Sequence, residues 1–179
     1  SSAAFNIEII TYDILNSFSQ ACTTFVGQNL GAGRLDRIHK GLKSCLVMGC
    51  IYSVLAFIIL WFFGRELSML FLDSGETEIL DGAREFLVLN SAFYIPLAFV
   101  NIVRFMIQGI GFSKLALFAG VFEMIGRSAV SLLLVPVFGY MAVCLASPAA
   151  WIMADCFLIP AYFYAMRTLK KAMPDAVTA

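Results

Sequence analysis

The chain has 179 residues, 61% of them hydrophobic and only 13% charged, and its formal net charge is zero. A soluble domain carries about 25% charged residues; together with a mean hydropathy of +0.88 this places the chain in the membrane class and excludes a soluble binding module. Zero net charge leaves no basic footprint for nucleic acid.

A helix rising 1.5 Å per residue crosses a hydrocarbon core of about 30 Å in about 20 residues. On that measure the chain reads as an all-α, polytopic membrane helix bundle of about five spans. The first covers about 3–27. It carries Glu8, Asp13, Asn16, Ser17, Ser19 and Gln20 among Phe5, Ile7, Ile9, Ile10, Ile14, Leu15 and Phe18. The apolar positions recur at helical spacing, which gives one apolar and one polar face. That suits a helix lining a wet cavity. A helix lying on the membrane surface is the alternative, and the lack of Lys and Arg on the polar face speaks against it.

The second span, about 42–64, is the clearest, because Ser44 to Gly64 contains no charge. The third covers about 84–108, with Pro96 inside it and Arg104 near its end. The fourth covers about 114–136 and is interrupted by Glu123 and Arg127. Pro136 and Gly139 then mark a turn. The fifth covers about 141–166 and contains Pro148, Asp155 and Pro160. Transmembrane helices tolerate proline better than soluble ones do. Residues 172–179 read as a tail.

The loops set the orientation. Gly27 to Lys43 carries Arg34, Arg37, Lys40 and Lys43 against Asp36. The turn at Lys114 and the C-terminal Arg167, Lys170 and Lys171 are also basic. Gly64 to Glu85 is acidic, with Glu66, Asp73, Glu76, Glu78, Asp81 and Glu85 against Arg65 and Arg84. Basic loops stay in the cytoplasm, so the C-terminus is expected there and the acidic loop outside. Five spans satisfy this alternation. Ser1 falls at the start of a helix-like segment, so further helices are expected upstream.

The cysteines, Cys22, Cys45, Cys50, Cys144 and Cys156, lie in or beside apolar runs. They show no CxxC and no zinc-like pairing with the lone His39. They read as small buried hydrophobes, and no metal or cofactor is expected. No GxSxG, HExxH or paired-carboxylate pattern is present, so the chain is expected not to be an enzyme. A membrane-embedded enzyme ranks last among the functions considered.

Charges inside spans are functional candidates by default. Asp13 lies about mid-span in the first helix. It is a candidate for cation or proton binding, or alternatively a packing hydrogen bond. Glu123 and Arg127 stand four apart on one helix face and can pair. A structural ion pair is the plain reading, and proton or substrate uptake by Glu123 the sharper one. Asp155, five residues before Pro160, is expected to make a packing hydrogen bond, or alternatively a polar spot in the cavity. Arg104 is expected to snorkel to the interface and brace the Gln108–Gly111 turn.

The stretch Phe25-Val26-Gly27-Gln28-Asn29-Leu30-Gly31-Ala32-Gly33, followed by Arg37, resembles the V-G-Q-N-x-G-A-G-x-x-x-R segment of multidrug and toxin extrusion (MATE) transporters. Its glycines are expected to allow a tight helix exit and close helix approach. Further matches fall in family order: Phe71 after Gly64, Arg104 with Gln108-Gly109-Ile110-Gly111, Glu123 with Arg127, Gly139, and Trp151. The resemblance implies a twelve-helix parent of two lobes, with residues 1–171 supplying helices eight to twelve. The partners would be the N-terminal lobe, the first helix of the C-terminal lobe, the lipid bilayer and a small organic substrate. It also implies export of organic, often cationic, compounds in exchange for Na⁺ or H⁺ across a bacterial inner membrane. A flippase for lipid-linked precursors is the alternative, but it would need a strongly basic cavity. Carboxylates that couple ions on the tenth helix in some branches have no match, since Phe86 to Ile107 contains no Asp or Glu.

Overall fold

The computed structural model describes residues 2–70 and 77–173, and these are helical with no strand among them. The elements are α1 (Ser2–Gly31), α2 (Leu35–Met69), α3 (Thr77–Ser91), α4 (Tyr94–Gly109), α5 (Ser113–Leu133), α6 (Val135–Phe138) and α7 (Tyr140–Ala172). Phe71, Asp73 and Glu76 lie outside the described residues, as does most of the tail expected at 172–179.

The helices run longer than the apolar spans, because helix continues into polar sequence wherever nothing breaks it. The expected Gly27–Lys43 loop shrinks to a turn at residues 32–34, with Gly27, Gln28, Asn29 and Gly31 inside α1. The turn is a Schellman cap. Arg34 N–H donates to Asn29 O at 2.9 Å and Gly33 N–H to Leu30 O at 3.0 Å, with Gly33 at φ +70°. The second glycine motif ends α4 in the same way. Phe112 N–H donates to Ile107 O and Gly111 N–H to Gln108 O, both at 3.0 Å, with Gly111 at φ +92°.

The third span is broken into α3 and α4, which meet at 54°. Pro96 explains the break, since it has no N–H to offer the Ala92 carbonyl one turn back. α2, α5 and α7 are each long and apolar enough to cross a membrane, and the bent α3–α4 pair makes a fourth span if counted as one. α1 has 30 residues. It is long enough to cross but too polar to be counted with them.

α4 is the axis of the bundle and packs against α1, α2, α5 and α7. It is apolar almost all round, as a central helix must be: Leu97, Ala98, Ile102, Val103, Met106 and Ile107 are all buried. Small residues let the helices close on it. A Cβ at Gly49 of α2 would meet Ile102 and Ala98, and one at Gly109 would meet Thr23 O and Val26 of α1. Gly126 of α5 serves α7 in the same way, against Ala150 and Met153. Gly27 and Gly31, expected to allow close helix approach, face open space instead.

Large apolar side chains remain exposed on the outside of α2 (Val47, Ile51, Leu55, Ile58, Phe62) and α5 (Leu117, Phe118, Met124, Ile125). Contiguous apolar surface of this kind suits lipid, not water.

Candidate functional site: a charged cluster across four helices

α1 packs along α2 and α4, as a member of the bundle and not as a separate surface helix. Its polar residues divide between faces. Ser19 is buried, and its hydroxyl donates to Leu15 O at 2.8 Å. Asn6, Asp13, Ser17, Gln20, Thr24 and Gln28 are exposed and recur at helical spacing, forming one polar stripe along the helix. Asp13 makes no ion pair among the described residues.

Glu8 and Tyr12 lie one turn apart on another face. Tyr12 donates its hydroxyl to Asn101 Oδ1 of α4 at 3.3 Å, and Asn101 donates its amide to Leu97 O at 3.1 Å. One turn beyond Asn101, Arg104 Nη2 donates to Glu123 Oε2 of α5 at 2.7 Å. Arg104 is therefore directed into the bundle and does not brace the Gln108–Gly111 turn as expected. α4 is central and packs against α5, which brings Glu123 to Arg104. Arg127 also reaches Glu123, at 3.4 Å. Glu123 thus holds two guanidiniums, one from its own helix and one from α4.

Asp155 of α7 and Glu8 complete the cluster. Asp155 stands on α7, which packs against both α4 and α5, and Glu8 on α1, which packs against α4. Asp155 Oδ1 and Arg104 Nε are both buried without a hydrogen-bond partner among the described residues, so the expected packing hydrogen bond is missing at this oxygen. Orphaned buried polar atoms are costly. The cluster opens on a groove of about 630 Å³ lined by Gly120, Glu123, Met124, Arg127, Ser128 and Ser131.

Of the candidates, Glu123, Arg127 and Asp155 share this cluster, whereas Asp13 stands apart on the α1 stripe. Sequence reasoning missed Tyr12 and Asn101. Their signals were faint: Tyr12 follows Glu8 by one turn, and Asn101 is a polar residue in an otherwise apolar run one turn before Arg104. No group of three or more His, Cys, Asp or Glu suited to a metal ion occurs among the described residues.

A lipid-facing bundle with a part-buried charged network between its helices suits an integral membrane protein. The MatE family description matches residues 1–141, and the chain belongs to that family. It is therefore a membrane-embedded piece of the MATE superfamily. A "FAD transporter" of Shewanella oneidensis is 28% identical over 100 residues, a stretch covering 56% of this chain and 22% of that protein. The chain thus matches well under two thirds of that relative's length. No solved structure matches.

Proposed function

We propose that the chain is part of the C-terminal lobe of a secondary antiporter that exports organic cations in exchange for Na⁺ or H⁺. The observation that carries this is the charge balance of the cluster. Three carboxylates, Glu8, Glu123 and Asp155, stand against two guanidiniums, Arg104 and Arg127. With all ionised, one negative charge is left over in a region where charge is expensive. A proton, a Na⁺ or a cationic substrate would neutralise it, and each would compete with the others. Competition for one site is the elementary requirement of exchange.

Asp13 and the α1 stripe supply a second polar surface. An exposed polar stripe is tolerated at membrane depth only where it lines water or protein. In this reading it faces the cavity between two lobes, whose rocking alternates access. The protein lies in a bacterial inner membrane with its C-terminus in the cytoplasm, uses no bound cofactor and catalyses no covalent step.

A second reading is export of a flavin dinucleotide. The Shewanella relative favours it, and so does Arg127, which is half exposed and held only at 3.4 Å. Arg127 could turn to a phosphate.

Efflux from vesicles containing the full-length protein tests both readings, with a Na⁺ gradient imposed first and a pH gradient second. Gradient-driven efflux of a lipophilic cationic dye is expected. Efflux of FAD but not of dye would transfer the proposal to the second reading. Movement of neither would defeat both.

A further inference from the structure

The start of α2 and the end of α7 enclose a groove of about 460 Å³, separate from the cluster at Glu123. Lys40, Lys43, Arg167 and Lys170 line it, with Asp36 the one acid among its described lining residues. Asp36 faces Lys40 at 3.8 Å. Four cations against one acid leave a surplus of three. The other wall is apolar and aromatic. Phe163 is half exposed there, Met166 is buried beside it, and Tyr162 stacks on His39 with ring centroids 6.3 Å apart.

The position of the groove matters as much as its charge. The uncharged run of α2 begins at Ser44, directly after Lys43, and α7 gains its basic residues from Arg167 onward. Both helices change from charged to apolar at this groove. A spanning helix makes that change where it passes from the headgroup layer into hydrocarbon. A basic rim over an apolar wall at that depth complements a molecule with an anionic head and an acyl tail. Free phosphate would use only the rim.

We infer that this groove is a binding site for an anionic phospholipid. Lys43, Arg167 and Lys170 hold the phosphate, and Phe163 and Met166 carry the first part of an acyl chain. The inference does not depend on what the protein transports.

Native mass spectrometry of the full-length protein in mild detergent tests it. The protein is titrated with phosphatidylglycerol and with phosphatidylcholine of the same acyl chains. Phosphatidylglycerol should be retained at a concentration lower by about tenfold or more. Lys43→Gln combined with Lys170→Gln should remove most of that preference, while Lys114→Gln should leave it intact. Phe163→Ala, at an exposed ring whose loss opens no core, should weaken retention while keeping the rim charge. Equal retention of the two lipids would overturn the inference, as would a preference that survives the double substitution. Displacement of the lipid by inorganic phosphate at equal concentration would also overturn it, by showing a site for phosphate alone.

Discussion

Arg104 of α4 and Glu123 of α5 meet at 2.7 Å, with side chains only 20% and 23% exposed. The pair is part-buried, and Glu123 keeps Arg127 at 3.4 Å when Arg104 is removed, so the loss falls below the about 3–5 kcal/mol of a fully buried pair. Arg104→Gln and Glu123→Gln should each lower thermal stability in detergent, Glu123→Gln by more, because it leaves two guanidiniums without their carboxylate. The double substitution should be milder than the sum of the two. Additive losses would show that the residues do not act as a pair.

Asp13 behaves differently, because it is exposed and makes no ion pair among the described residues. Asp13→Asn should leave the amount in the membrane and the thermal stability nearly unchanged, within about 0.5 kcal/mol. Gradient-driven efflux should be lost. Normal efflux by this variant would remove Asp13 from the mechanism and leave the Glu123 cluster as the site of coupling.

The glycines of the two motifs separate by sign. Gly33 and Gly111 sit at positive φ. Alanine there should destabilise by about 1–2 kcal/mol. Gly27 is mid-helix with nothing within 4 Å of an added Cβ. Alanine there should stabilise by about 0.5–1 kcal/mol. Gly109→Ala should cost about 1–3 kcal/mol through its 3.1 Å approach to Thr23 O. Thermal unfolding of the four single variants would test the order.

Cys22 of α1 and Cys45 of α2 bring their sulfurs to 2.7 Å. A membrane-permeant oxidant that accepts the two hydrogens should close them into a disulfide. Maleimide labelling after denaturation should then fall at Cys22 and Cys45 together, and Cys22→Ser should keep Cys45 reactive. Unchanged labelling of Cys45 after oxidation would place the two helices in a different register.

Much of this protein was legible in its residues. The long uncharged run from Ser44 to Gly64 and the low overall charge fix a membrane helix, because burial of apolar surface over about 20 residues is a local property. The glycine motifs announced helix ends for the same reason. The positive φ that a cap requires is set by the residue that occupies it. The motif at residues 25–33 also pointed to the family that the match over residues 1–141 shows.

Partner choice was not legible. Composition alone left Arg104 free to reach the interface. Only the central position of α4 brings it to Glu123 and brings Asp155 within its field. The open space at Gly27 also depends on neighbours in other helices. Periodicity along one helix records which face is apolar. Which helix meets that face, and which charge lies opposite which, is settled by packing across the bundle. The sequence by itself determined the membrane helix class, the two glycine caps and the family; the tertiary structure alone decided which charges share a cluster, because that depends on contacts between residues far apart in the chain.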